Sequence, residues 1–303
     1  MFAGKKPSLC LGEALVDLIA EERLDRPADA RAFAVYPGGA LANVAVAIRR
    51  AGAPAALLGG VGDDPWGSWL RERIGDEDVD TGWVASVEGL PTPLALATFG
   101  RDGEPVFQIY GDSISETMAA GARFLEEGVD GAAALVFGSN SLVGAPERDL
   151  TIRARRLARE AGLPVLFDPN LRPNRWRDMD RAVAFCRDLC DGAFLVKANA
   201  AEAERLTGET DPAGAAEGLC RLGARLGVVT LGPDGALVRG ASSGEAPAPG
   251  VEVVSTLGAG DSFMGALAAG LAARDWEAER AAEALPGAVE AAAATCEIWG
   301  AWS

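Results

Sequence analysis

One short stretch of this sequence combines a glycine-rich turn with a single carboxylate. Residues 256–263 read Thr-Leu-Gly-Ala-Gly-Asp-Ser-Phe and precede a predicted helix of small residues. The backbone N–H groups of Gly258, Ala259 and Gly260 would face an anion there, because glycine permits close approach and a helix N-terminus carries partial positive charge. Asp261 would lie beside that anion, where accepting a proton from an attacking hydroxyl is one role for it. The structural alternative is an aspartate that only caps a glycine-rich turn.

Composition excludes several kinds of site. The 303 residues allow one large α/β domain, with or without a small insertion. A net charge of −16 argues against a nucleic-acid or anionic membrane partner. The sequence contains no histidine, which excludes Ser-His-Asp and Cys-His sites, histidine-ligated zinc and a histidine base. Acid–base chemistry therefore falls to Asp, Glu, Lys, Tyr or Cys.

The cysteines and the apolar runs bear on the compartment. Five cysteines, an odd number without a CxxC pair, lie in apolar contexts and predict reduced, buried thiols. The apolar run from Leu9 to Ile19 is interrupted by Glu13 and Asp17, and no run reaches the length of a membrane span. We therefore expect a cytoplasmic protein without a membrane partner.

Apolar runs alternate with helical patterns along most of the chain. Strands are predicted at Leu9–Leu11, Ala55–Leu58, Ala133–Phe137, Val165–Phe167, Ala193–Val196 and Val228–Leu231, and helices at Leu41–Ala51, Ala145–Ala161, Met179–Leu189, Ala200–Thr207, Ala213–Leu226 and Ser262–Ala273. This order predicts a mostly parallel sheet covered on both faces, which binds ligands beyond the carboxyl ends of its strands. Residues 240–250, rich in Gly, Ala, Ser and Pro, predict a surface loop.

Two segments, residues 14–36 and 92–112, break this rhythm. Both alternate apolar with polar residues, and the runs Thr92–Thr98 and Pro105–Tyr110 flank an Asp102-Gly103 turn typical of a hairpin. They predict a small antiparallel sheet that stands off the main sheet as a lid. Edge strands of the main sheet are the alternative.

Two further glycine-rich stretches precede helical patterns. Gly38 and Gly39 permit close approach of a ligand, and Asn43 lies one turn into the next helix with a donor and an acceptor. Residues 59–64 read as a strand-end turn before another helix. Either could be simple strand-to-helix connection chemistry.

Together these motifs resemble those of one enzyme family. The runs Gly38–Gly67 and Ser255–Phe263 resemble the two signatures of ribokinase-like (PfkB-type) sugar kinases. Asp168–Arg172 followed by Trp176 is similar to a segment of bacterial fructokinases, residues 197–202 resemble the family's N-x-x-E motif, and residues 230–235 resemble its nucleotide-side loop. The five motifs occur in the family's order and span nearly the whole chain.

The resemblance implies a single ribokinase-like three-layer α/β/α domain over residues 1–303, with the lid inserted. It implies ATP-dependent transfer of phosphate to a primary hydroxyl of a sugar, with D-fructose as the expected substrate and Asp261 as the general base. Mg²⁺ would be organised through water by Asn199 and Glu202, which otherwise form a plain helix-capping pair. The implied sugar ligands are Asp17, Gly38, Gly39, Asn43, Arg172 and Asp261. The implied nucleotide contacts are Lys197, Asn199, Thr230, Gly232, Gly235, Gly258 and Gly260.

Two departures from the family pattern bear on specificity. Ser255 stands where the family usually has an acidic residue. In several members this segment helps hold a monovalent cation, so the resemblance leaves potassium as a possible cofactor and Ser255 puts activation by potassium in doubt. Gly111, followed by Asp112, stands where relatives often place an arginine in the lid.

Several alternatives stay open. Within the family these are kinases of 2-keto-3-deoxygluconate, ribose or a nucleoside, and outside it a catalytically silent sugar- or nucleotide-binding regulator. The intact Gly258–Asp261 motif argues against the catalytically silent regulator. Lid-to-lid homodimers occur in the family, but nothing in this sequence requires one.

Overall fold

The computed structural model describes residues 5–100, 105–110, 113–173 and 175–302. In these ranges the strands are β1 (Ser8–Leu11), β2 (Leu15–Arg23), β3 (Ala34–Gly38), β4 (Ala55–Gly62), β5 (Val84–Val87), β6 (Leu94–Phe99), β7 (Pro105–Tyr110), β8 (Ala134–Gly138), β9 (Val165–Asp168), β10 (Leu195–Asn199), β11 (Leu226–Thr230), β12 (Ala236–Gly240) and β13 (Gly244–Ala246). The helices are α1 (Ala40–Arg50), α2 (Pro65–Asp76), α3 (Ile114–Ala119), α4 (Leu125–Gly131), α5 (Ala145–Glu160), α6 (Met179–Cys190), α7 (Ala200–Thr207), α8 (Pro212–Arg221), α9 (Ala259–Ala272) and α10 (Leu285–Thr295). Short 3₁₀ turns occur at Pro27–Asp29, Ala120–Phe124, Ser139–Leu142, Gly232–Asp234 and Ala278–Ala284.

The main sheet has the strand order β13-β12-β11-β10-β9-β8-β1-β4-β5 among the described residues. Its strands run parallel from β11 to β5, and β12 and β13 are antiparallel additions at one edge. The carboxyl ends of the parallel strands therefore meet at one edge of the sheet, which confirms the predicted topology.

Helices cover both faces of this sheet. Side chains of β1 alternate between the two faces. Cys10 belongs to the hydrophobic cluster that contains α1, α2, α9 and α10, whereas Leu9 and Leu11 belong to the cluster that contains α4 to α8. Helix α9 approaches α1 closely: a Cβ on Gly265 would lie 2.5 Å from Cβ of Ala47. The fold class is thus the predicted three-layer α/β/α arrangement, and its tight α1–α9 contact joins two of the predicted site residues, Asn43 and Asp261.

The lid is a separate sheet of order β3-β2-β6-β7. The predicted hairpin is present as β6 and β7, but its turn at residues 101–104 and the lid positions Gly111 and Asp112 lie outside the described residues. The expectation of a purely antiparallel lid is wrong, because the central pair β2–β6 is parallel. The chain passes through the main sheet between these two strands, so local alternation carries no information on their relative direction.

Two local expectations need correction. Helix α8 ends at Arg221 rather than at Leu226, because Gly223 takes a left-handed φ of +108° and Leu226 already begins β11. Residues 59–62 continue strand β4 instead of forming a turn, and part of the predicted 240–250 loop is strand β13.

Candidate active site

Asp261 lies in the first turn of α9, directly after a left-handed turn. Gly258 has a φ of +79°, and a Cβ there would lie 2.3 Å from Cβ of Ala301, so both backbone shape and space require glycine. The Ala259 N–H, which the sequence predicted to face an anion, donates instead to the Thr256 carbonyl at 3.3 Å. The N–H groups of Gly258, Gly260 and Asp261 have no backbone acceptor among the described residues. Those of Gly260 and Asp261, at the positive end of α9, are available to an anion.

The Asp261 carboxylate is buried but held by a specific donor. Its Oδ2 accepts a 2.9 Å hydrogen bond from Nδ2 of Asn43 on α1. Burial raises the pKa of Asp261 to about 7, while the Asn43 hydrogen bond and the nearby Arg172 act to lower it. A carboxyl group with a pKa near neutrality is suited to accept a proton from a substrate hydroxyl.

Asp17 faces Asp261 from the lid. It lies in the apolar strand β2 with only 4% of its surface exposed, and burial together with the negative charge of Asp261 raises its pKa to about 7. A Cβ on Gly38 would lie 2.1 Å from Oδ2 of Asp17, so the neighbouring strand β3 needs glycine at that position. The structure thus brings Asp17, Gly38 and Asp261 together, as the sequence predicts.

A cleft between the lid and the carboxyl edge of the main sheet contains these carboxylates. Its lining includes Gly39, Asn43 and Arg172 from the predicted set, together with the lid side chains Phe107 and Ile109. The Arg172 guanidinium lies 5.6 Å from the centre of the Phe107 ring. The cleft therefore combines an apolar lid wall with a polar floor, as expected for a small polar ligand.

Three polar residues of the cleft were not predicted as site residues: Glu13, Asn140 and Arg175. Glu13 is 5% exposed, and its Oε1 accepts from the Ala40 N–H at 3.3 Å and from Nδ2 of Asn140 at 3.1 Å. Oε2 of Glu13 and Oδ1 of Asn140 are buried without a partner in the described structure. The sequence feature that could have identified Glu13 is the one that identified Asp17, an acidic residue within an apolar run. No local feature of the sequence marks Asn140 or Arg175 as a site residue.

Lys197 forms a buried ion pair behind the α9 N-terminus. Its Nζ lies 2.9 Å from Oδ2 of Asp168, and a Cβ on Gly260 would lie 3.0 Å from the same Nζ. Burial lowers the pKa of Lys197, but the carboxylates of Asp168 and Glu202 outweigh it, and the net pKa is raised. A permanent positive charge therefore lies next to the two free amides.

Asn199 and Glu202 form a complete capping box at the start of α7. Oδ1 of Asn199 accepts from the Glu202 N–H at 2.9 Å, and Oε2 of Glu202 accepts from the Asn199 N–H at 3.0 Å. Oε1 of Glu202 accepts from the Leu171 N–H at 2.7 Å. Burial and Asp168 raise the pKa of Glu202.

These contacts decide how the pair could serve a metal ion. No group of three or more acidic or cysteine side chains in the described chain converges as a ready-made metal site. Each Glu202 oxygen keeps a second lone pair, and Oδ1 of Asp168 is buried without a partner among the described residues. The donor set fits Mg²⁺ held through water, because this ion retains several of its waters when it binds near one or two carboxylates.

The predicted nucleotide loop follows β11. Thr230 pairs with Asn199 in the sheet register, and Gly232 and Gly235 both have positive φ. The Leu231 N–H donates to the Gly235 carbonyl at 2.7 Å, which closes the turn. These residues lie at the same sheet edge as the cleft without lining it.

Ser255 is buried, and its Oγ accepts from the Leu257 N–H at 3.1 Å.

A family model described as pfkB family carbohydrate kinase matches residues 5–301. The chain belongs to this family. Fructokinase-1 of Zea mays is 36% identical over 269 residues, which cover 88% of this chain and 83% of the relative.

Two solved structures are also similar. Fructokinase with bound ATP from Xylella fastidiosa has a TM-score of 0.82 and 28% identity, and covers 98% of this chain and 94% of that one. Fructokinase from Vibrio cholerae O395, in its fructose-, ADP- and calcium-bound form, has the same TM-score and identity and covers 98% and 95%.

Membership in the pfkB family confirms the fold class and the reaction type predicted from the sequence. The chain is a carbohydrate kinase, a phosphotransferase with an alcohol group as acceptor. None of the helices in the described ranges is long and apolar enough to cross a membrane.

Proposed function

We propose that this chain transfers the γ-phosphoryl group of ATP to the 6-hydroxyl of D-fructose. The observation that carries the proposal is the position of Asp261: a buried carboxylate that lines a polar cleft beside two free helix-terminal amides, with a pKa raised to about 7. The fructokinase names of the maize relative and of the two bacterial structures support fructose as the acceptor.

The chemistry follows from the placement of charge. Asp261 takes the proton of the sugar hydroxyl as its oxygen forms a bond to the γ-phosphorus, and the bond from that phosphorus to the bridging β–γ oxygen breaks to release ADP. Charge spreads over the transferred oxygens, where the amides of Gly260 and Asp261 and the ammonium of Lys197 stabilise it. Mg²⁺, when bound through water to Asn199 and Glu202, would neutralise charge on the phosphates.

The polar floor of the cleft would orient the sugar. Asp17, Asn43 and Arg172 offer acceptors and donors to hydroxyl groups, and the unpartnered oxygens of Glu13 and Asn140 offer two more acceptors. The apolar lid wall excludes water from the reacting oxygen. Thr230, Gly232 and Gly235 would contact the nucleotide from the neighbouring strand end.

Steady-state kinetics with coupled detection of ADP would test this function. The acceptor panel contains D-fructose, D-ribose, 2-keto-3-deoxygluconate and adenosine, with ATP and Mg²⁺ present throughout. Fructose should give the highest kcat/KM. A preference for another acceptor overturns the fructose assignment alone, whereas no acceptor-dependent ADP release overturns kinase activity and leaves a silent binder.

We propose also that a homodimer would form through the outward face of the lid. Side chains alternate along β7, so that Phe107 and Ile109 face the cleft while Val106 and Tyr110 point away and are about half exposed. Val35 on β3 shares this outward face and is 41% exposed. Light scattering should give twice the monomer mass, and Val106→Lys should return the mass to that of a monomer.

The cysteines support a cytoplasmic location. All five lie within the described residues and are unpaired, and burial raises the pKa of the Cys190 thiol to about 12. Such thiols persist in a reducing compartment.

A further inference from the structure

The second-last residue of the chain reaches the candidate base through one intermediate side chain. Trp302 is 2% exposed, and its Nε1 donates a 2.9 Å hydrogen bond to Oδ1 of Asn43. Nδ2 of Asn43 in turn donates to Oδ2 of Asp261, also at 2.9 Å. The three side chains form a directed chain of donors that ends on the carboxylate.

The direction of this chain matters because an asparagine side chain has two different ends. A rotation of the Asn43 amide by half a turn would point Oδ1 at the Asp261 carboxylate and replace a hydrogen bond with repulsion. The indole N–H is a donor without acceptor capacity, so it pairs favourably with the amide oxygen and not with the amide nitrogen. Trp302 thereby selects the orientation in which Asn43 donates to Asp261.

The terminal segment that carries Trp302 is itself held against the site. Ala301 contacts Gly258, since a Cβ on that glycine would lie 2.3 Å from Cβ of Ala301. Gly300 has a φ of +76° and lies against the ring of Tyr36 on β3. The indole therefore occupies a fixed position beneath the turn that precedes α9.

We propose that Trp302 is a positioning residue for phosphoryl transfer, which holds the Asn43 amide so that it stabilises the ionised carboxylate of Asp261. This inference rests on the proposed role of Asp261 as the base. The other charged groups around Asp261 are Asp17 on β2, Asp168 on β9, Lys197 on β10 and Arg172 in the loop after β9. None of them contacts Trp302 by a hydrogen bond in the described structure, so the effect of the indole passes through Asn43.

Two complementary variants separate the donor from the bulk of the side chain. Trp302→Phe keeps most of the aromatic volume but removes the N–H, whereas Trp302→Gln removes the ring but places an N–H the same number of bonds from Cα. Trp83→Phe is a matched control, because Trp83 is half-buried against α4, away from the cleft. Urea unfolding of each variant reports the purely structural effect.

The readout is the pH dependence of kcat/KM for the sugar. Trp302→Phe should move the acidic limb to higher pH and lower kcat about fivefold, the effect expected when one hydrogen bond is lost. Trp302→Gln should have its acidic limb at the same pH as wild type, even though it unfolds at a lower urea concentration. Trp83→Phe should leave the pH profile unchanged.

Each departure from this pattern has one meaning. An unchanged acidic limb in Trp302→Phe overturns the positioning role of Trp302. The same holds if the shift of the limb correlates with the urea midpoint of each variant and not with the presence of an N–H at position 302. Asp261→Asn belongs in the same series: if that variant keeps wild-type activity, the failure lies in the base assignment. If it is inactive while Trp302→Phe keeps the wild-type profile, only the role of Trp302 is wrong.

Discussion

Nζ of Lys197 lies 2.9 Å from Oδ2 of Asp168, and both side chains are buried beneath the first turn of α9. The second oxygen of Asp168 has no partner in the described residues, and the Glu202 carboxylate is close enough to raise the pKa of Lys197. One cation thus compensates two buried acids while it faces Gly260, where the phosphoryl group would pass. Its loss should therefore reduce both stability and turnover.

Lys197→Met should lower the free energy of unfolding by about 3–5 kcal/mol, because it leaves a buried carboxylate without its counter-ion. Urea unfolding measures the change. Asp168→Asn in the same chain should restore most of the stability but not the activity. Arg156→Met, which breaks an exposed pair with Glu160, is the control and should change stability by less than about 1 kcal/mol. Equal losses of stability in Lys197→Met and Arg156→Met would contradict the role of Lys197 as a buried counter-ion.

Asp261→Asn should reduce kcat by about 10²–10⁴-fold, the range for removal of a general base. The asparagine keeps the size of the side chain, so nucleotide binding, measured by calorimetry, should be retained. Near wild-type turnover would show that another group takes the proton.

The same variant should change the pH dependence of stability. The folded-state pKa of Asp261 is about 7, above its ordinary value of 3.8, so the folded protein binds more protons than the unfolded chain between these values. Stability then falls as the pH rises through this window, and asparagine removes that loss. Without ligands, the urea midpoint of Asp261→Asn relative to wild type should rise between about pH 4 and about pH 7 and level off above that. A constant difference would contradict the raised pKa.

The carboxylates of Asp17 and Asp261 should titrate as a coupled pair in the rate profile. Both have a pKa raised to about 7, and the negative charge of Asp261 is one cause of the shift in Asp17. Repulsion between two charges is reciprocal, so the two groups titrate together. Activity should therefore decline below neutral pH. Asp17→Asn removes one of the two charges and should move the acidic limb of kcat/KM for ATP to lower pH, although KM for the sugar rises. An unmoved limb would mean that the two groups do not interact.

Glu202→Gln should raise the Mg²⁺ concentration needed for half-maximal activity, because the variant lacks the charge that would orient the metal-bound water. Glutamine keeps one acceptor oxygen for the capping box but cannot also accept from the Leu171 N–H, so the variant should lose about 1 kcal/mol of stability as well. Asn199→Ala, which removes the cap acceptor, is the comparison and should cost about 1 kcal/mol of stability. An unchanged Mg²⁺ titration together with reduced stability in Glu202→Gln would leave the pair with a capping role alone.

Local patterns were sufficient for much of the fold and of the site. Four of the six predicted helices agree with the structure to within two residues at both ends, because each has a clear amphipathic pattern or a strong start signal. A fifth, predicted from Ser262, begins three residues earlier as α9. The Gly258–Asp261 turn was likewise predicted, since glycine content and helix onset are adjacent in sequence. Helix α10 was not, because an alanine-rich helix is apolar on every side and shows no period.

The contacts that the sequence did not predict join distant residues. Asn140 is 127 positions from Glu13, and Trp302 is 259 positions from Asn43. Such pairings depend on which strand ends and termini the topology brings together, and no local spacing encodes them. Glu202 illustrates the intermediate case: its spacing from Asn199 predicted both a cap and a metal role, and the capping box is present.

The charge of the cleft should decide between neutral and acidic sugars. Glu13, Asp17 and Asp261 line the cleft together with Arg172 and Arg175. Above neutral pH, where both aspartates are ionised, a substrate carboxylate would meet three negative charges against two positive ones. A buried carboxylate needs a cation or several donors to offset its desolvation. We therefore expect kcat/KM for fructose to exceed that for 2-keto-3-deoxygluconate.

Glu13→Gln tests the cause of this preference. The variant keeps an acceptor for Ala40 and Asn140 but removes the negative charge, so it should narrow the gap between fructose and 2-keto-3-deoxygluconate mainly through KM for the acid. Glu116→Gln on α3, a change of the same charge outside the cleft lining, is the matched control and should leave the ratio unaltered. A wild-type enzyme that prefers the acid would rule out the fructose assignment while sugar phosphorylation stands. A ratio of the two kcat/KM values that does not respond to Glu13→Gln would show that other residues of the cleft discriminate between the two sugars.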